Sequence, residues 1–387
     1  CRCQPACTVE HTSRKCCLTD YNDPSRPTVV LFNINGTGMG HMTTCLAYAN
    51  RLREHVRPVF FSLASAVEMI HAMGYEADYL VSRFWSRASA WSWDQQLALR
   101  LGMLFERVRP EAVVFDGTWP YRGLLEAADR YGVPRLVWSN LSLYRPDFPK
   151  VPIKESNFDL NILLGEAGAK FRVDREAIPG RRVLVPPVTL LDEHDLLDRE
   201  AARRELGLQL DGRYALFSLG SGNLKNVGDI GRGLVRELKR HGITVVWAKP
   251  AISAVDVTLP KGVRSISMYP TARVLRAFDI FVGAAGYNTC CEVLQSGVAS
   301  LLVPNRRMAD DQARRAELVS DHAPAVVSGC ETHEERVAAV KSVVENAATN
   351  RAPAARYLDL NGAALAADEI LAMIGIARGN DEPKAPR

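Results

Sequence analysis

The sequence predicts an α/β protein built as two Rossmann-like domains that face each other across a cleft. Three observations carry this. Its 387 residues suffice for two domains of ordinary size. Each half opens on the same unit: an apolar strand, a glycine-rich turn and a helix. Apolar runs such as Val113–Phe115, Tyr214–Leu219 and Phe278–Val282 read as parallel strands buried on both faces.

Composition narrows the function classes. Apolar content of 47% and charged content of 24% are those of a globular chain. A net charge of +4 with no long basic stripe argues against a nucleic-acid partner. No apolar run is long enough to span a bilayer. Five of nine cysteines (Cys1, Cys3, Cys7, Cys16 and Cys17) crowd the first 17 residues. They lack paired C-x₂-C spacing and apolar periodicity, so residues 1–26 read as a cysteine-rich, disordered leader or a fragment end. No secretory h-region precedes Val29.

The first domain, residues 27–186, begins with a strand over Pro27–Asn35, the loop Gly36-Thr-Gly-Met-Gly-His41 and a helix over Met42–Leu52. The G-x-G-x-G-H spacing departs from the dinucleotide fingerprint, which argues against a nicotinamide enzyme. His41 stands at a helix start, whose positive end disfavours an imidazolium, and a neutral imidazole serves as a base near pH 7. Val56–Ser62 and Tyr75–Val81 read as strands around a helix over Ala66–Met73. Ser82–Trp93 holds three of the six tryptophans and reads as a loop, suited to lining an acceptor site (Trp85, Trp91), to touching a membrane interface, or to ordinary packing. A helix follows over Asp94–Arg107.

Asp116 closes the next strand, on the sheet edge where open α/β sheets bind ligands. A His41–Asp116 pair is therefore expected, the carboxylate orienting the imidazole. Asp116 as a cap for a helix near Trp119 is the alternative. Further strands read at Arg135–Ser139, Asn157–Leu163 and Val183–Pro187, with a linker over Pro186–Asp198.

The second domain, residues 187–350, opens with a charged helix over Arg199–Leu206. Tyr214–Leu219, the turn Gly220-Ser-Gly222 and a helix over Val227–His241 repeat the opening unit. Strands follow at Thr244–Ala248 and Val263–Ser267, then a loop and helix over Met268–Ala277. The stretch Gly283-Ala-Ala-Gly-Tyr-Asn-Thr-Cys-Cys-Glu292 is again a strand end, turn and helix start. Bare N–H groups there suit a phosphate, Gly286 permits close approach, and Thr289 offers a hydroxyl. Glu292, about one turn on, is placed to accept from sugar hydroxyls. A plain helix start with Thr289 as cap and Glu292 as its capping-box partner is the alternative. Asp311 and Gln312 follow the strand Ser300–Pro304 and are suited to reading sugar hydroxyls. Residues 351–387 read as a final helix near Ala363–Ile376 and a disordered tail.

In order and spacing these motifs resemble the GT-B glycosyltransferases, of the MurG-like and UDP-glycosyltransferase kind, over about Val29 to Glu345. Gly36–His41 is similar to that family's first glycine loop, and Val114-Phe-Asp116 to the position of the acid paired with the histidine. Ser218-Leu-Gly-Ser221 resembles the first donor loop. Gly286 with Glu292 is similar to the nucleotide signature, and Asp311-Gln312, seven and eight residues after Pro304, to the pair on the donor sugar. Two departures stand out: Ala284 where small-acceptor enzymes of plants carry a histidine, and Met39 between glycines that are adjacent in MurG.

The resemblance implies an inverting glycosyltransferase moving a hexose or N-acetylhexosamine from a UDP-sugar to a lipid-linked or small-molecule hydroxyl. His41 and Asp116 would be catalytic. Gly220, Ser221, Gly286, Asn288, Thr289, Glu292, Asp311 and Gln312 would bind the donor. Gly38, Trp85, Trp91 and Trp119 would line the acceptor site. No cofactor or metal is implied. The expected location is cytoplasmic, with peripheral contact at the inner membrane face left open. A nucleotide-sugar epimerase or hydrolase of the same fold, or a non-catalytic nucleotide-sugar-binding subunit, are the competing functions.

Overall fold

The computed structural model describes residues 23–34, 38–148, 155–169, 181–219, 227–249, 259–349 and 361–376. The cysteine-rich segment up to residue 22, Gly220–Gly222 and the tail beyond residue 376 lie outside the described residues.

The first sheet has seven parallel strands in the order β3-β2-β1-β4-β5-β6-β7. They are β1 (Thr28–Asn33), β2 (Arg57–Ser62), β3 (Glu76–Tyr79), β4 (Ala112–Asp116), β5 (Leu136–Leu141), β6 (Leu160–Leu164) and β7 (Arg181–Val185). The helices between them are α1 (Gly40–Leu52), α2 (Val67–Ala72), α3 (Arg83–Ser86), α4 (Ala90–Val108) and α5 (Arg122–Arg130). After α6 (Arg199–Leu206) comes a second parallel sheet of six strands, in the order β10-β9-β8-β11-β12-β13. Its strands are β8 (Tyr214–Ser218), β9 (Thr244–Ala248), β10 (Arg264–Ile266), β11 (Ile280–Ala284), β12 (Ala299–Val303) and β13 (Ala325–Val327). Its helices are α7 (Val227–Arg240), α8 (Tyr287–Ser296), α9 (Gln312–Ser320) and α10 (His333–Thr349). A last helix, α11 (Gly362–Met373), follows.

Both sheets wind outward from their first strand and then jump back beside it. The strand order therefore reverses between β1 and β4, and again between β8 and β11. Crevices at such reversals open at the carboxyl ends of the strands, because the flanking helices leave in opposite directions there. The central strands read as continuous apolar runs because helices cover both faces, and β4 and β12 are buried at every residue.

Local chemistry sets several boundaries. Asp198 caps α6 by accepting from the Ala201 N–H, and Gly207 ends it in the left-handed region at φ 61°. Gly297 does the same for α8 at φ 69°. The tryptophan-rich segment is helical rather than a loop. Ser89 caps α4 one residue before Ala90, and Trp93, Leu97, Leu101, Leu104 and Phe105 then form its buried stripe. α5 starts at Arg122 after Tyr121, so Asp116 caps nothing.

The two domains share an interior. One apolar core includes residues of α1, α8, α9 and α11, while separate cores lie under α4 and α5 and under α7 and α10. α11 follows the second domain in sequence yet packs on α1 and β7 of the first. Gly362 permits this: a Cβ there would stand 1.9 Å from the Pro186 carbonyl oxygen. Between the domains Arg315 of α9 is fully buried, with Nε 2.6 Å and Nη2 2.9 Å from the Glu166 carboxylate and Nη1 2.6 Å from Asp310.

Replacing Arg315 by Met should cost about 3–5 kcal/mol in urea unfolding, because the Glu166 carboxylate is left without its cation in a dry site. A loss below about 1 kcal/mol, the size of a surface pair, would show that this bridge does not join the domains.

Candidate functional site

The two reversals face one cleft of about 550 Å³. On the first-domain side, Asn33 of β1 pairs with Asp116 of β4, so the turn after β1 brings the start of α1 beside the Asp116 carboxylate. His41 Nδ1 lies 2.6 Å from Asp116 Oδ1. Ser139, opposite Asp116 in the β4–β5 register, donates to Oδ2 at 2.6 Å, and its oxygen lies 2.9 Å from the Tyr48 hydroxyl. Asp116 is 1% exposed, whereas His41 is partly open and lines the cleft. A carboxylate only accepts, so the shared hydrogen belongs to Nδ1 and the lone pair sits on Nε2.

On the second-domain side, α8 starts at Tyr287 with Gly286 as its N-cap and no side-chain capping bond. Thr289 is therefore the third residue of the helix, not its cap. Its first N–H groups carry the helix's partial positive charge without a side chain to neutralise it. Gly286, Asn288, Thr289 and Glu292 all line the cleft, as residues three and four apart on one helical face do. A Cβ on Gly286 would meet only Thr289 Oγ1, at 3.9 Å, and its φ is −68°. The backbone does not need glycine there.

Asn288 ties the two sides together, its Nδ2 donating to the Gly40 carbonyl at 3.0 Å, one residue before His41. Tyr269, also lining the cleft, meets Thr43 of α1 hydroxyl to hydroxyl at 3.0 Å. Tyr287 also lines the cleft, but its hydroxyl is turned into the interior, donating to the Gly165 carbonyl and accepting from the Val188 N–H.

Asp311 and Gln312 divide the work. Asp311 caps α9 by accepting from the Arg314 N–H at 3.2 Å and is not a lining residue. Gln312 lines the cleft, its Oε1 accepting from Asn305 N and its Nε2 donating to Asp310 Oδ2. The acid that reaches the cleft is Asp310. Sequence reasoning passed over it, although the Asp310-Asp311-Gln312 run offered either acid. Lys249 and Arg307 also line the cleft and were not foreseen. Burial pushes Arg307 below its ordinary range, and the nearby Asp310 charge partly offsets this.

The aromatic candidates scatter. Trp93 is core, with its Nε1 donating to the Val81 carbonyl at 2.9 Å. Trp85 and Trp91 are 53% and 73% exposed, beside Phe84 at 79%, and none of them lines the cleft. Trp119 follows the lining residue Thr118 and stacks on Phe148, which stacks on Tyr144. Gly38 lines the cleft, and Gly220 and Ser221 lie outside the described residues. Among the described residues, Asp192, His194 and Asp195 bring three potential metal ligands within 4.8 Å, but away from the cleft lining.

Glu292 is the one carboxylate on the α8 face of the cleft, and burial raises its pKa from 4.5 to about 7. Among the described residues no hydrogen bond to its side chain is found.

Comparison with known proteins places the fold. Residues 263–370 match the family model of the glycosyltransferase family 28 C-terminal domain. The chain is 23% identical over 231 residues to a Bacillus licheniformis UDP-N-acetylglucosamine–N-acetylmuramyl-(pentapeptide) pyrophosphoryl-undecaprenol N-acetylglucosamine transferase. That match spans 57% of this chain and 61% of the relative's length. Among solved structures, the spinosyn forosaminyltransferase SpnP superposes with a TM-score of 0.62 at 16% identity, covering 91% of this chain and all of that one. MurG of Acinetobacter baumannii gives 0.52 at 15% identity, over 89% and 99% of the two chains. A Medicago truncatula enzyme complexed with UDP-glucose gives 0.56 at 13%, over 91% and 99%. The chain thus has the GT-B glycosyltransferase fold.

Since the folded state raises the Glu292 pKa, its ionisation works against folding as pH rises from about 4.5 through about 7. Glu292→Gln should therefore stabilise the ligand-free protein at pH 8 by about 1–2 kcal/mol and do little at pH 5. Thermal unfolding at the two pH values checks this; an equal gain at both would mean that the carboxylate is not desolvated.

Proposed function

We propose that this chain, a GT-B protein with a family 28 C-terminal domain, is an inverting glycosyltransferase. It moves a hexose or N-acetylhexosamine from a UDP-linked donor to the hydroxyl of a lipid-linked or small-molecule acceptor. One observation carries the reading: Asn288, in the uncapped start of α8, donates to the carbonyl next to His41. An anion-binding helix start and an oriented imidazole therefore open on the same space.

In this mechanism His41 Nε2 takes the proton of the acceptor hydroxyl as its oxygen attacks the anomeric carbon. The bond from that carbon to the diphosphate oxygen breaks, its electron pair leaves with the diphosphate, and the configuration inverts. Asp116 holds the imidazole through Nδ1 and stabilises the imidazolium that forms. The α8 N–H groups, with Lys249 and Arg307 in the same cleft, stabilise the charge on the leaving diphosphate. Glu292 accepts from the vicinal hydroxyls of the ribose. Gln312 and Asp310 face the donor sugar, with Gln312 held in place by Asn305 and Asp310. The acceptor enters beside Gly38 and Thr118, next to the Trp119–Phe148–Tyr144 stack.

The exposed aromatics serve location in this reading. Phe84, Trp85 and Trp91 stand out from α3 and the start of α4, flanked by Arg83 and Arg87. Aromatic rings with neighbouring arginines suit the interface of an anionic bilayer, here the cytoplasmic face. Among the described residues no helix is long and apolar enough to cross a membrane.

Two substitutions separate chemistry from binding. His41→Ala should lower kcat by about 10²–10⁴-fold and leave calorimetric donor affinity in place; undiminished turnover would remove His41 from the mechanism. Gly286→Ala should leave the unfolding midpoint unchanged, because its φ is negative and the added methyl has room. It should weaken UDP-sugar binding by about tenfold, since the methyl protrudes where the diphosphate lies. Unaltered affinity would place the diphosphate elsewhere. Release of UDP from donor alone as fast as with acceptor would favour hydrolysis. Phe84→Ser with Trp91→Ser should reduce sedimentation with anionic vesicles, and full retention would show that this face does not dock.

A further inference from the structure

His41 and Asp116 are two members of a longer chain of groups. Ser139 and Tyr48 are both fully buried, and neither lines the cleft itself. We propose that Ser139 and Tyr48 are positioning residues for the base, locking the Asp116 carboxylate in the one orientation that turns the His41 Nε2 lone pair toward the cleft. The proposal rests on the reading of His41 as a base.

Counting hydrogens gives each bond a direction. The Asp116 carboxylate can only accept, so the single Ser139 hydroxyl hydrogen is spent on Oδ2, at 2.6 Å. The 2.9 Å contact between Tyr48 and Ser139 must then carry the tyrosine's hydrogen. Oδ1 is already taken by His41 Nδ1 at 2.6 Å. Each carboxylate oxygen thus has its own donor, and rotating the carboxylate would break both bonds at once. The circuit also closes through the backbone. His41 and Tyr48 are seven residues apart on α1 and so leave it on one face, gripping the Asp116–Ser139 unit from its two ends.

The groups that feel the Asp116 charge are Cys45 and Tyr48 on α1 and Tyr144 after β5. Burial holds all three well above their ordinary ranges, so none of them loses its proton between pH 5 and 8.

The test is the His41 imidazole titration, followed by nitrogen-15 NMR in ligand-free protein. Ser139→Ala removes one donor from the carboxylate, which then holds the imidazolium more strongly. The His41 midpoint should rise by about half to one pH unit, the equivalent of one net hydrogen bond. The acid limb of kcat should move with it while the donor KM stays fixed. Tyr48→Phe should shift the midpoint less, in the same direction. The double variant should match Ser139→Ala alone, because Tyr48 acts only through Ser139. Ser139→Thr, which keeps the hydroxyl, should restore the parent value. An unmoved midpoint in Ser139→Ala, or additive shifts in the double variant, would overturn the proposal. If Ser139→Ala does not fold, an unmoved midpoint in Tyr48→Phe overturns it equally. A shifted midpoint in a protein that turns over no sugar donor would retain the circuit and reject the transferase reading.

Discussion

Tyr287 and Asn288, adjacent in the chain, fasten the start of α8 to the first domain from opposite sides. Tyr287 points into the shared interior and bonds Gly165 and Val188, under the Arg315 guanidinium 5.6 Å from its ring. Asn288 points into the cleft and bonds Gly40. Each neutral hydrogen bond contributes only about 0.5–1.5 kcal/mol net, but leaving the buried tyrosine hydroxyl unpaired would cost more. The proposed chemistry depends on this double attachment, because the imidazole and the helix start come from different domains.

The cleft combines groups that folding alone disfavours. Glu292 sits where burial opposes its charge, and no described group neutralises it. Arg307 is desolvated, and among the described residues the Asp310 charge partly compensates. The α8 N–H groups lack a side-chain cap. In a structural element these would be defects, whereas under the proposed function a ligand bearing a diphosphate and hydroxyls would satisfy all three. Such a site gains affinity because its polar groups are already aimed and dehydrated before the ligand arrives.

The contrast with Arg315 is instructive. That guanidinium is buried more deeply than Arg307, yet two carboxylates surround it and it touches both domains. Its charge is spent on architecture. Sequence position does not distinguish the two arginines, eight residues apart around one strand-to-helix junction. Only the arrival of Glu166 from the other domain does.

Local patterns sufficed for much of this protein. Buried parallel strands announce themselves as short apolar runs, because such signals act within a few residues. The pairing of His41 with Asp116 was legible too, since a strand's carboxyl end and the turn of its neighbour share an edge in any doubly wound sheet. What depends on contacts between distant segments was not. α11 returns to α1 across the domain boundary, and Asp310 rather than Asp311 faces the cleft because the cap of α9 occupies the latter. Trp93 goes to the core and Trp91 to the surface according to which face of α4 turns inward. Propensity and spacing describe a residue's own neighbourhood. Which side chain a second domain leaves free is decided only when the two interiors close on each other.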